Sequence, residues 1–391
     1  MDGKIKRRRL GRTELMVTEL SFGAMNLRLL KSFDEARTIV NHVLDQGVNL
    51  IDTARAYKGE IATGVILESE QVVGEVVRSR PCLDEPLVLV TKGHAYTIPA
   101  LEQDLAESLK TLGISGRGTL KLGPQEVRLI YLVHGISQER WATVKASGVL
   151  DRLQELKRDG VISHIGFSSH YPFAAQIKEA IDSGVFDVAE LPYNIFNRSL
   201  GEDGPLDLLA YAHRQDIGLI NMKAFNGNGM VPIYQVMREH IPIDYPAMLR
   251  FCLSNPAIAT VDAGVRVPAE FDLDRQAAQA EPLPAAEREA LKAEADKIAG
   301  LMKNVCRECM HCQEKFSCPH QIDFPRILSL YARYRFMTRQ GKDTADLARQ
   351  YRLLVPNGDD CVACGECMPW CEYRLDIPML LKEAHQVLSK P

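Results

Sequence analysis

Eight of the ten cysteines lie in the last quarter of the chain, in two runs of four. The first run reads C-x2-C-x2-C-x5-C-P, and the second reads C-x2-C-x2-C-x3-C. Thiols at a spacing of two residues lie close together, and such runs are typical of the ligands of iron–sulfur clusters. We therefore predict two [4Fe-4S] clusters in the tail. The predicted ligands are Cys306, Cys309, Cys312 and Cys318, and Cys361, Cys364, Cys367 and Cys371.

Zinc is the main alternative for these thiols, and disulfides are a second one. Structural zinc sites usually present two separated C-x2-C pairs, so the third close cysteine of each run has no role in such a site. Disulfides are typical of exported proteins. The basic run at residues 6–9 is not followed by an apolar segment, so we do not expect a signal peptide. This pattern favours iron–sulfur clusters and a reducing cytoplasm.

Four further side chains could do chemistry together, and each lies at or just after the end of a strand-like apolar run. They are a carboxylate, a phenol, an amine and an imidazole: Asp52, Tyr57, Lys92 and His134. A tyrosine holds its proton up to about pH 10, and a nearby ammonium lowers that pKa. A buried lysine needs a carboxylate partner, and a histidine can hydrogen-bond a carbonyl oxygen. The set therefore predicts a site that donates a proton to a carbonyl.

These residues need a scaffold that brings strand ends together. Eight short apolar runs alternate with helical stretches between residues 19 and 264, which predicts a (β/α)8 TIM barrel of the α/β class. A doubly wound sheet is the alternative, but no G-x-G-x-x-G follows the first strand. The predicted strands are 20–23, 48–52, 87–91, 129–133, 164–167, 188–191, 219–222 and 259–263. The predicted helices are 34–46, 69–79, 99–112, 139–159, 172–183, 205–215, 245–254 and 267–279.

The remaining segments frame the barrel. Strand-like pieces at 5–10 and 15–19 suit a hairpin before the first barrel strand, and we expect the Gly-rich stretch 114–126 to be structural. After the barrel, we predict helices at 285–303, 327–353 and 378–388. Each cysteine run is followed by a similar phrase, Ile-Asp-Phe-Pro or Leu-Asp-Ile-Pro. We therefore predict a barrel at 1–280, a linker helix at 281–304 and a pseudo-symmetric, small helical iron–sulfur domain at 305–391.

The charge and hydrophobic content of the chain bear on which kinds of partner it can bind. The net charge is −4 and the pI is about 6.2, with 46% hydrophobic and 25% charged residues. These values are ordinary for a globular protein and give no reason to expect nucleic acid or a membrane surface as a partner. No apolar stretch approaches the length of a transmembrane helix.

The barrel region resembles the aldo-keto reductase family over roughly residues 5–280. The matching phrases are Asn49-Leu50-Ile51-Asp52-Thr53-Ala54-x-x-Tyr57, Ser69-Glu70-Gln71-x-x-Gly74, Val90-Thr91-Lys92, Ile130-Tyr131-Leu132-Val133-His134 and Ile165-Gly166-Phe167-Ser168. The resemblance implies that Asp52, Tyr57, Lys92 and His134 form a catalytic tetrad. It implies that Tyr57 is the general acid when a nicotinamide cofactor, NADPH or NADH, delivers hydride to a carbonyl.

The tail resembles that of two-cluster bacterial ferredoxins, in which the fourth cysteine of each run ligates the other cluster. Pro319 follows Cys318 as in that pattern, whereas Glu372 stands at the corresponding place of the second run. The last gap of the first run is also longer than usual. Together, the two parts of the chain resemble a ferredoxin-fused branch of the aldo-keto reductases.

The resemblance also implies positions for the nicotinamide, with departures. Ser168 matches a serine that binds the carboxamide, Ser169 replaces a usual asparagine, and Glu190 replaces a usual glutamine. Met222 takes the place of a stacking aromatic ring, and Lys223 is the candidate for the pyrophosphate.

The segment after the eighth strand bears on the choice between NADH and NADPH. Gly264 and Arg266 match the family's site for the 2′-phosphate, but Glu270, Asp272 and Asp274 follow. Carboxylates near a ribose favour a free 2′-hydroxyl, although acids also favour the start of a helix. The sequence leaves the choice open.

Two functions follow from the two halves. The first is an NAD(P)H-dependent oxidoreductase that interconverts a small-molecule carbonyl and an alcohol, with an appended electron-transfer domain. The second is an iron–sulfur electron-transfer component of a larger redox complex, with the barrel as a docking or regulatory body. A ferredoxin or a flavoprotein is then the expected redox partner, because a nicotinamide gives two electrons as hydride whereas a cluster passes one.

Overall fold

A computed structural model describes residues 4–170, 173–225, 244–302, 304–306, 312, 316–371 and 373–390. The chain divides into two compact units. The first comprises Met1–Ala224 and Tyr245–Pro284, and the second contains Ala285–Pro391.

The first unit contains a closed barrel of eight parallel strands whose order around the barrel follows the chain. The circle closes because the eighth strand pairs with the first and every other strand pairs with its neighbour in sequence. The predicted TIM barrel is therefore confirmed. Its strands are β3 (Leu20–Gly23), β4 (Leu50–Asp52), β7 (Leu87–Gly93), β10 (Gln125–Val133), β11 (His164–Ser168), β12 (Val188–Pro192), β13 (Gly218–Met222) and β14 (Thr260–Ala263).

The strands are buried on both faces, because helices cover the outside and side chains fill the inside. All seven residues of β7 are buried, which explains its continuous apolar sequence. The helices of this unit are α1 (Phe33–Asp45), α2 (Ser69–Ser79), α3 (Ile98–Leu112), α4 (Gln138–Ala146), α5 (Val149–Arg158), α6 (Ala174–Asp182), α7 (Leu208–Arg214), α8 (Tyr245–Leu253) and α9 (Pro268–Gln279). The helix predicted at 139–159 is thus two helices, because Gly148 adopts a left-handed conformation with φ 75° between them.

Two hairpins close the lower part of the barrel. Strands β1 (Arg7–Arg9) and β2 (Met16–Thr18) form the predicted N-terminal hairpin, and the neighbouring Leu10 and Val17 pack against Leu50 and Val88 in the core. Strands β8 (Ile114–Ser115) and β9 (Leu120–Leu122) extend the sheet beside the start of β10. The stretch predicted to be structural therefore forms part of the framework at the end of the barrel where the strands begin.

A third hairpin was not predicted from the sequence. Strands β5 (Lys58–Ala62) and β6 (Val65–Glu68) pair directly after Tyr57. All of its residues except Leu67 are at least partly exposed, and its longest apolar run, Val65-Ile66-Leu67, spans only three residues.

The second unit is helical, with helices α10 (Ala285–Met302), α11 (Phe324–Arg339), α12 (Ala345–Arg352) and α13 (Ile377–Leu388). The repeated phrases begin α11 and α13. The Asp323 side chain accepts a hydrogen bond from Arg326 N, and the Asp376 side chain accepts one from Met379 N. Each phrase is therefore a helix N-cap followed by proline in the first turn.

The stretch predicted as one helix at 327–353 is interrupted near Gly341, which has φ 65°. Helices α11, α12 and α13 share one apolar core that includes Phe324, Leu347 and Leu381. Across the described ranges, no helix combines the length and the apolar character needed to cross a membrane.

Candidate active site

The four predicted tetrad residues meet at the end of the barrel where the strands finish. Asp52 is the last residue of β4, Lys92 is the sixth residue of β7, and His134 directly follows β10. Tyr57 lies in the connection between β4 and β5. Asp52 and Lys92 are 2% and 1% exposed, and His134 is 7% exposed. Parallel strands with matched registers thus bring together residues that are distant in sequence.

Lys92 is the centre of the site. Its ammonium contacts Asp52 Oδ1 and lies 2.9 Å from Glu190 Oε2. Burial by itself lowers the pKa of Lys92, but the Asp52 and Glu190 carboxylates outweigh that effect and raise the pKa well above its usual value. Lys92 is therefore a fixed positive charge at neutral pH.

Tyr57 lies between this charge and His134. Lys92 Nζ is 5.4 Å from the centre of the Tyr57 ring, and the rings of Tyr57 and His134 are 6.2 Å apart and nearly perpendicular. The backbone is held on both sides, since Tyr57 N donates to Ala54 O at 3.0 Å and Tyr57 O accepts from Ser69 N at 2.9 Å. The phenol is thereby fixed at the mouth of the barrel.

The acidity of Tyr57 differs from the prediction. Burial raises the pKa of the phenol, and Lys92 lowers it only in part, because Asp52, Glu190 and Asp262 add negative charge nearby. The net pKa is therefore raised, not lowered. A phenol with a raised pKa keeps its proton at neutral pH, which suits a group that must hold the proton until the reaction requires it.

A group of aromatic side chains surrounds His134, and the sequence reasoning did not identify it. The His94 ring stacks on the His134 ring with centres 4.7 Å apart, and the His170 ring lies 6.0 Å away. The Tyr96 hydroxyl donates to the backbone oxygen of His134 at 2.7 Å. His94 follows Lys92 by two residues, and His170 follows Ser168 by two, so their places just beyond two strand ends were the available signal.

Asp262, in β14, is a third carboxylate that the sequence reasoning missed. Among the described residues, the group Asp52, Glu190 and Asp262 has one oxygen of each carboxylate within 4.8 Å of the others. Asp262 Oδ1 accepts a hydrogen bond from the Ser21 hydroxyl at 2.5 Å. A single acid at the end of an otherwise apolar barrel strand was the signal for it.

The predicted carboxamide-binding residues lie next to the tetrad. Ser168 Oγ accepts from Gly135 N at 2.9 Å, and Ser169 Oγ donates to Ile136 O at 3.0 Å. Both hydroxyls thus fix the loop after β10. Glu190 points into the barrel toward Lys92, so its carboxylate is engaged by the tetrad. The roles of the three in cofactor binding stay predictions.

The other predicted cofactor residues lie around the same rim. Met222 ends β13 and is 7% exposed. Lys223 follows with φ 60°, and its backbone oxygen accepts from Asn194 Nδ2 at 2.8 Å. Gly264 follows β14, and its oxygen accepts from Asn26 Nδ2 at 2.8 Å. The strand ends therefore place these residues at the mouth that holds the tetrad.

Of the three acids that follow Arg266, two contact other residues of the barrel unit and the third is buried. Glu270 accepts from the backbone N of Arg266 at 2.7 Å, and Asp272 lies 2.8 Å from His42 Nε2. Asp274 is buried, and burial raises its pKa to about 7. Their presence is explained without a ribose, so they are weak evidence for NADH.

A second candidate site lies among the cysteines of the second unit. Cys318, Cys361, Cys364 and Cys367 line one cavity, whose other walls are mainly apolar. The fourth cysteine of the first run thus lies with the first three of the second run. Burial raises the pKa of Cys367 to about 12, and the neighbouring thiols of Cys361, Cys364 and Cys318 add to the rise. A quartet of this kind is suited to a metal that displaces the thiol protons.

The remaining predicted ligands are Cys306, Cys312 and Cys371, which are described, and Cys309, which lies outside the described residues. Cys312 is buried, and Cys306 and Cys371 are partly buried against the apolar core of this unit. The described cysteines are all free thiols, so the alternative of disulfides finds no support among them.

The comparison with protein families matches residues 19–241 to the model described as the aldo/keto reductase family. A curated relative, the uncharacterized oxidoreductase YqkF of Bacillus subtilis, is 25% identical over 219 residues, which are 52% of this chain and 60% of that protein. The 6-dehydroglucose reductase of Novosphingobium aromaticivorans is 32% identical over 98 residues, which are 25% of this chain and 31% of that protein. The chain thus spans less than two thirds of these relatives.

Solved structures agree on the fold. The holo form of the aldo-keto reductase AKR11C1 from Bacillus halodurans superposes with a TM-score of 0.58 at 24% identity, over 74% of this chain and 96% of that chain. Its apo form gives a TM-score of 0.54 at 23% identity, over 74% and 95%.

Proposed function

The chain belongs to the aldo/keto reductase family, and from this premise we propose that its barrel is an NAD(P)-dependent oxidoreductase that interconverts a small carbonyl compound and an alcohol. The observation that carries the proposal is the contact of Lys92 with Asp52 beneath the Tyr57 ring, with His134 beside that ring. A charged lysine, a protonated phenol and an imidazole around one opening are the groups that carbonyl reduction requires.

Each of these groups has a separate role in carbonyl reduction. A bound nicotinamide supplies the hydride that forms the new C–H bond at the carbonyl carbon. Tyr57 Oη gives its proton to the carbonyl oxygen, so the product is the neutral alcohol and the phenolate is left beside Lys92. The ammonium of Lys92 stabilises that phenolate, and His134 orients the carbonyl oxygen by a hydrogen bond. In the reverse direction, the phenolate accepts the proton of the alcohol.

We place the nicotinamide at the rim formed by Ser168, Ser169, Met222, Lys223 and Arg266. Met222 is an apolar, polarisable side chain that can contact a ring. Lys223 and the exposed Arg266 are cations for the phosphates. Glu190 is engaged by Lys92, so we assign it to the tetrad and not to the carboxamide.

For residues 305–391 we propose an iron–sulfur domain with two [4Fe-4S] clusters, preceded by a linker helix at 281–304. The cavity thiols Cys318, Cys361, Cys364 and Cys367 fit one cluster. We assign the second cluster to Cys306, Cys309, Cys312 and Cys371. Each cluster supplies one-electron transfer when bound. Thiolate ligation suits a reducing compartment, so we propose a cytoplasmic protein.

The spread of the thiols favours clusters over zinc. A tetrahedral zinc site with Zn–S bonds of about 2.3 Å places its sulfurs about 3.8 Å apart. Within the described parts of the tail, no three thiols lie within 4.8 Å of one another. The absence of such a compact trio supports a cluster over a single zinc ion.

The same cavity favours a second candidate function, an electron-transfer component that serves a ferredoxin or flavoprotein. One experiment separates the two candidates. The chain is purified without oxygen and tested with a panel of aldehydes and ketones, using NADH and NADPH in turn. The proposed function predicts that one nicotinamide is oxidised for each carbonyl reduced. Electron transfer to a one-electron acceptor, with no carbonyl reduced by either nicotinamide, would instead support the second candidate.

A further inference from the structure

Two carboxylates beyond the tetrad share its interior. Glu190 Oε2 lies 2.9 Å from Lys92 Nζ, and Asp262 has a carboxylate oxygen within 4.8 Å of oxygens of both Asp52 and Glu190. Three carboxylates thus surround one ammonium in the upper part of the barrel. A site of one cation and one anion needs no further acid, so the two additional groups require an explanation.

We propose that Glu190 and Asp262 are positioning residues that act through Lys92 on the strength of Tyr57 as proton donor, and that Asp262 binds and releases the proton that changes this strength. The proposal rests on the proposed reduction of carbonyls by this barrel and adds two residues to the machinery. In this proposal, neither Glu190 nor Asp262 touches the reacting atoms.

The geometry points to Asp262 as the carboxylate that takes up and releases a proton. Like charges that share a buried site cannot all stay ionised, so one carboxylate takes a proton. Asp52 and Glu190 both contact the Lys92 ammonium. Burial and the Glu190 carboxylate raise the pKa of Asp52 overall, although Lys92 lowers it. Asp262 Oδ1 accepts from the Ser21 hydroxyl, whereas Oδ2 is buried and has no hydrogen-bond partner among the described residues. An oxygen with no donor favours the neutral carboxyl.

The electrostatics also raise the pKa of Asp262. Burial and the neighbouring Glu190 carboxylate raise the pKa of Asp262, the Ser21 hydrogen bond and Lys92 lower it, and the net value is about 7. The groups that face Asp262 from the surrounding strands are Ser21 on β3, Asp52 on β4, Lys92 on β7 and Glu190 on β12. Ser21 is held in turn by the Thr260 hydroxyl at 2.9 Å.

The effect on the reaction has a definite sign. Below about pH 7, Asp262 is neutral, and Tyr57 experiences one negative charge fewer. Above that pH, the Asp262 carboxylate raises the pKa of Tyr57, so the phenol becomes a weaker acid. Carbonyl reduction should therefore slow as the pH rises through the pKa of Asp262.

The test is the pH dependence of kcat for carbonyl reduction in four variants. The wild type should lose about three- to tenfold in kcat from pH 6 to pH 8, because a change of one unit in the pKa of the acid alters the rate by up to tenfold. Asp262→Asn should remove this inflection. Glu190→Gln should move it to lower pH, and Ser21→Ala should move it to higher pH, since these neighbours raise and lower the pKa of Asp262 respectively.

Asp274→Asn is the matched control. Asp274 is a second carboxyl with a pKa of about 7, but it lies on the outer helix α9. This variant should keep the wild-type pH profile of kcat.

Infrared difference spectra of the unliganded protein follow the protonation of carboxyl groups without measuring enzyme activity. Asp262→Asn and Asp274→Asn should each remove one carboxyl band that titrates near pH 7.

The outcomes separate the two proposals. If the wild type reduces carbonyls and Asp262→Asn keeps the same inflection, the role of Asp262 is refuted and the proposed function stands. If the inflection moved in the same direction in Glu190→Gln and Ser21→Ala, the role of Asp262 would also be refuted. The two neighbours change the pKa of Asp262 with opposite signs, so their removal should move the inflection in opposite directions. If no carbonyl is reduced at any pH, the proposed function fails and this inference fails with it.

Discussion

The Lys92 ammonium lies 5.4 Å from the centre of the Tyr57 ring, and both groups are held by neighbours that leave them little freedom. Lys92 is fixed by two carboxylates, and Tyr57 is fixed by backbone hydrogen bonds on both sides. The charge that stabilises the phenolate is therefore in place before any substrate binds, which is the condition for electrostatic catalysis.

Lys92→Met should damage both activity and stability. The change leaves Asp52 and Glu190 buried without their cation, which costs about 3–5 kcal/mol in the free energy of unfolding. Carbonyl reduction should fall at least about 100-fold, because the phenolate loses its stabilising charge. Urea unfolding and kcat measure the two effects.

Lys58→Met is the control for that prediction. Lys58 pairs with Glu68 at 3.0 Å on the partly exposed hairpin, and such a pair contributes at most about 1 kcal/mol. If Lys58→Met destabilised the protein as much as Lys92→Met, the special role of the buried pair would be wrong.

Asp274 should make the protein less stable as the pH rises. Its folded pKa of about 7 is about three units above the usual 3.8, so the folded state binds the proton more tightly than the unfolded chain. The stabilisation is complete below about pH 4 and is lost as the pH rises through about 7, for a total of up to about 4 kcal/mol. Asp274→Asn should therefore be more stable than the wild type at pH 8. Thermal or urea unfolding at several pH values measures the difference.

Asp272→Asn provides the comparison on the same helix. Asp272 is 39% exposed at its side chain and pairs with His42, so its removal should change the free energy of unfolding by less than about 1 kcal/mol. Equal pH profiles for the wild type and Asp274→Asn would show that Asp274 is not the titrating group.

The shared cavity predicts which cysteines belong to one cluster. Cys318→Ala and Cys361→Ala should each lower the iron content from about eight to about four atoms per chain. The double variant should also retain about four, because both thiols line the same cavity. Cys82→Ala, which removes an exposed lone thiol, should keep about eight.

Metal and sulfide analysis after anaerobic purification gives these counts. If the double variant lost all iron while each single variant kept half, Cys318 and Cys361 would belong to different clusters. Zinc without sulfide in the wild type would refute the cluster assignment itself.

The sequence predicted the scaffold well because its signals are local. The first barrel strand and the helix at 69–79 were predicted with the bounds that the structure has, since apolar runs and helix periodicity depend on nearby residues. The break at Gly148 was missed because one glycine in a helical pattern does not show whether its φ is positive. The hairpin after Tyr57 was missed because its longest apolar run, Val65-Ile66-Leu67, is short and mostly exposed.

The site was predicted in part for a different reason. Positions at strand ends identify which residues can meet, so the four predicted tetrad residues were expected to lie together, as they do. Charge balance depends on all strands at once. Asp262 was therefore overlooked, the contact of Glu190 with Lys92 was not anticipated, and the pKa of Tyr57 was expected to fall when it rises. Only the assembled barrel shows three carboxylates around one lysine.

The most direct test of the account is the rate of carbonyl reduction in Tyr57→Phe, with nicotinamide binding followed by fluorescence. Tyr211→Phe, which alters a phenol that contacts Asp182 on the outer helices, is the matched control. We expect Tyr57→Phe to bind the nicotinamide normally and to lose at least about 100-fold in kcat, while Tyr211→Phe keeps its activity. Undiminished reduction by Tyr57→Phe would contradict the assignment of the tetrad.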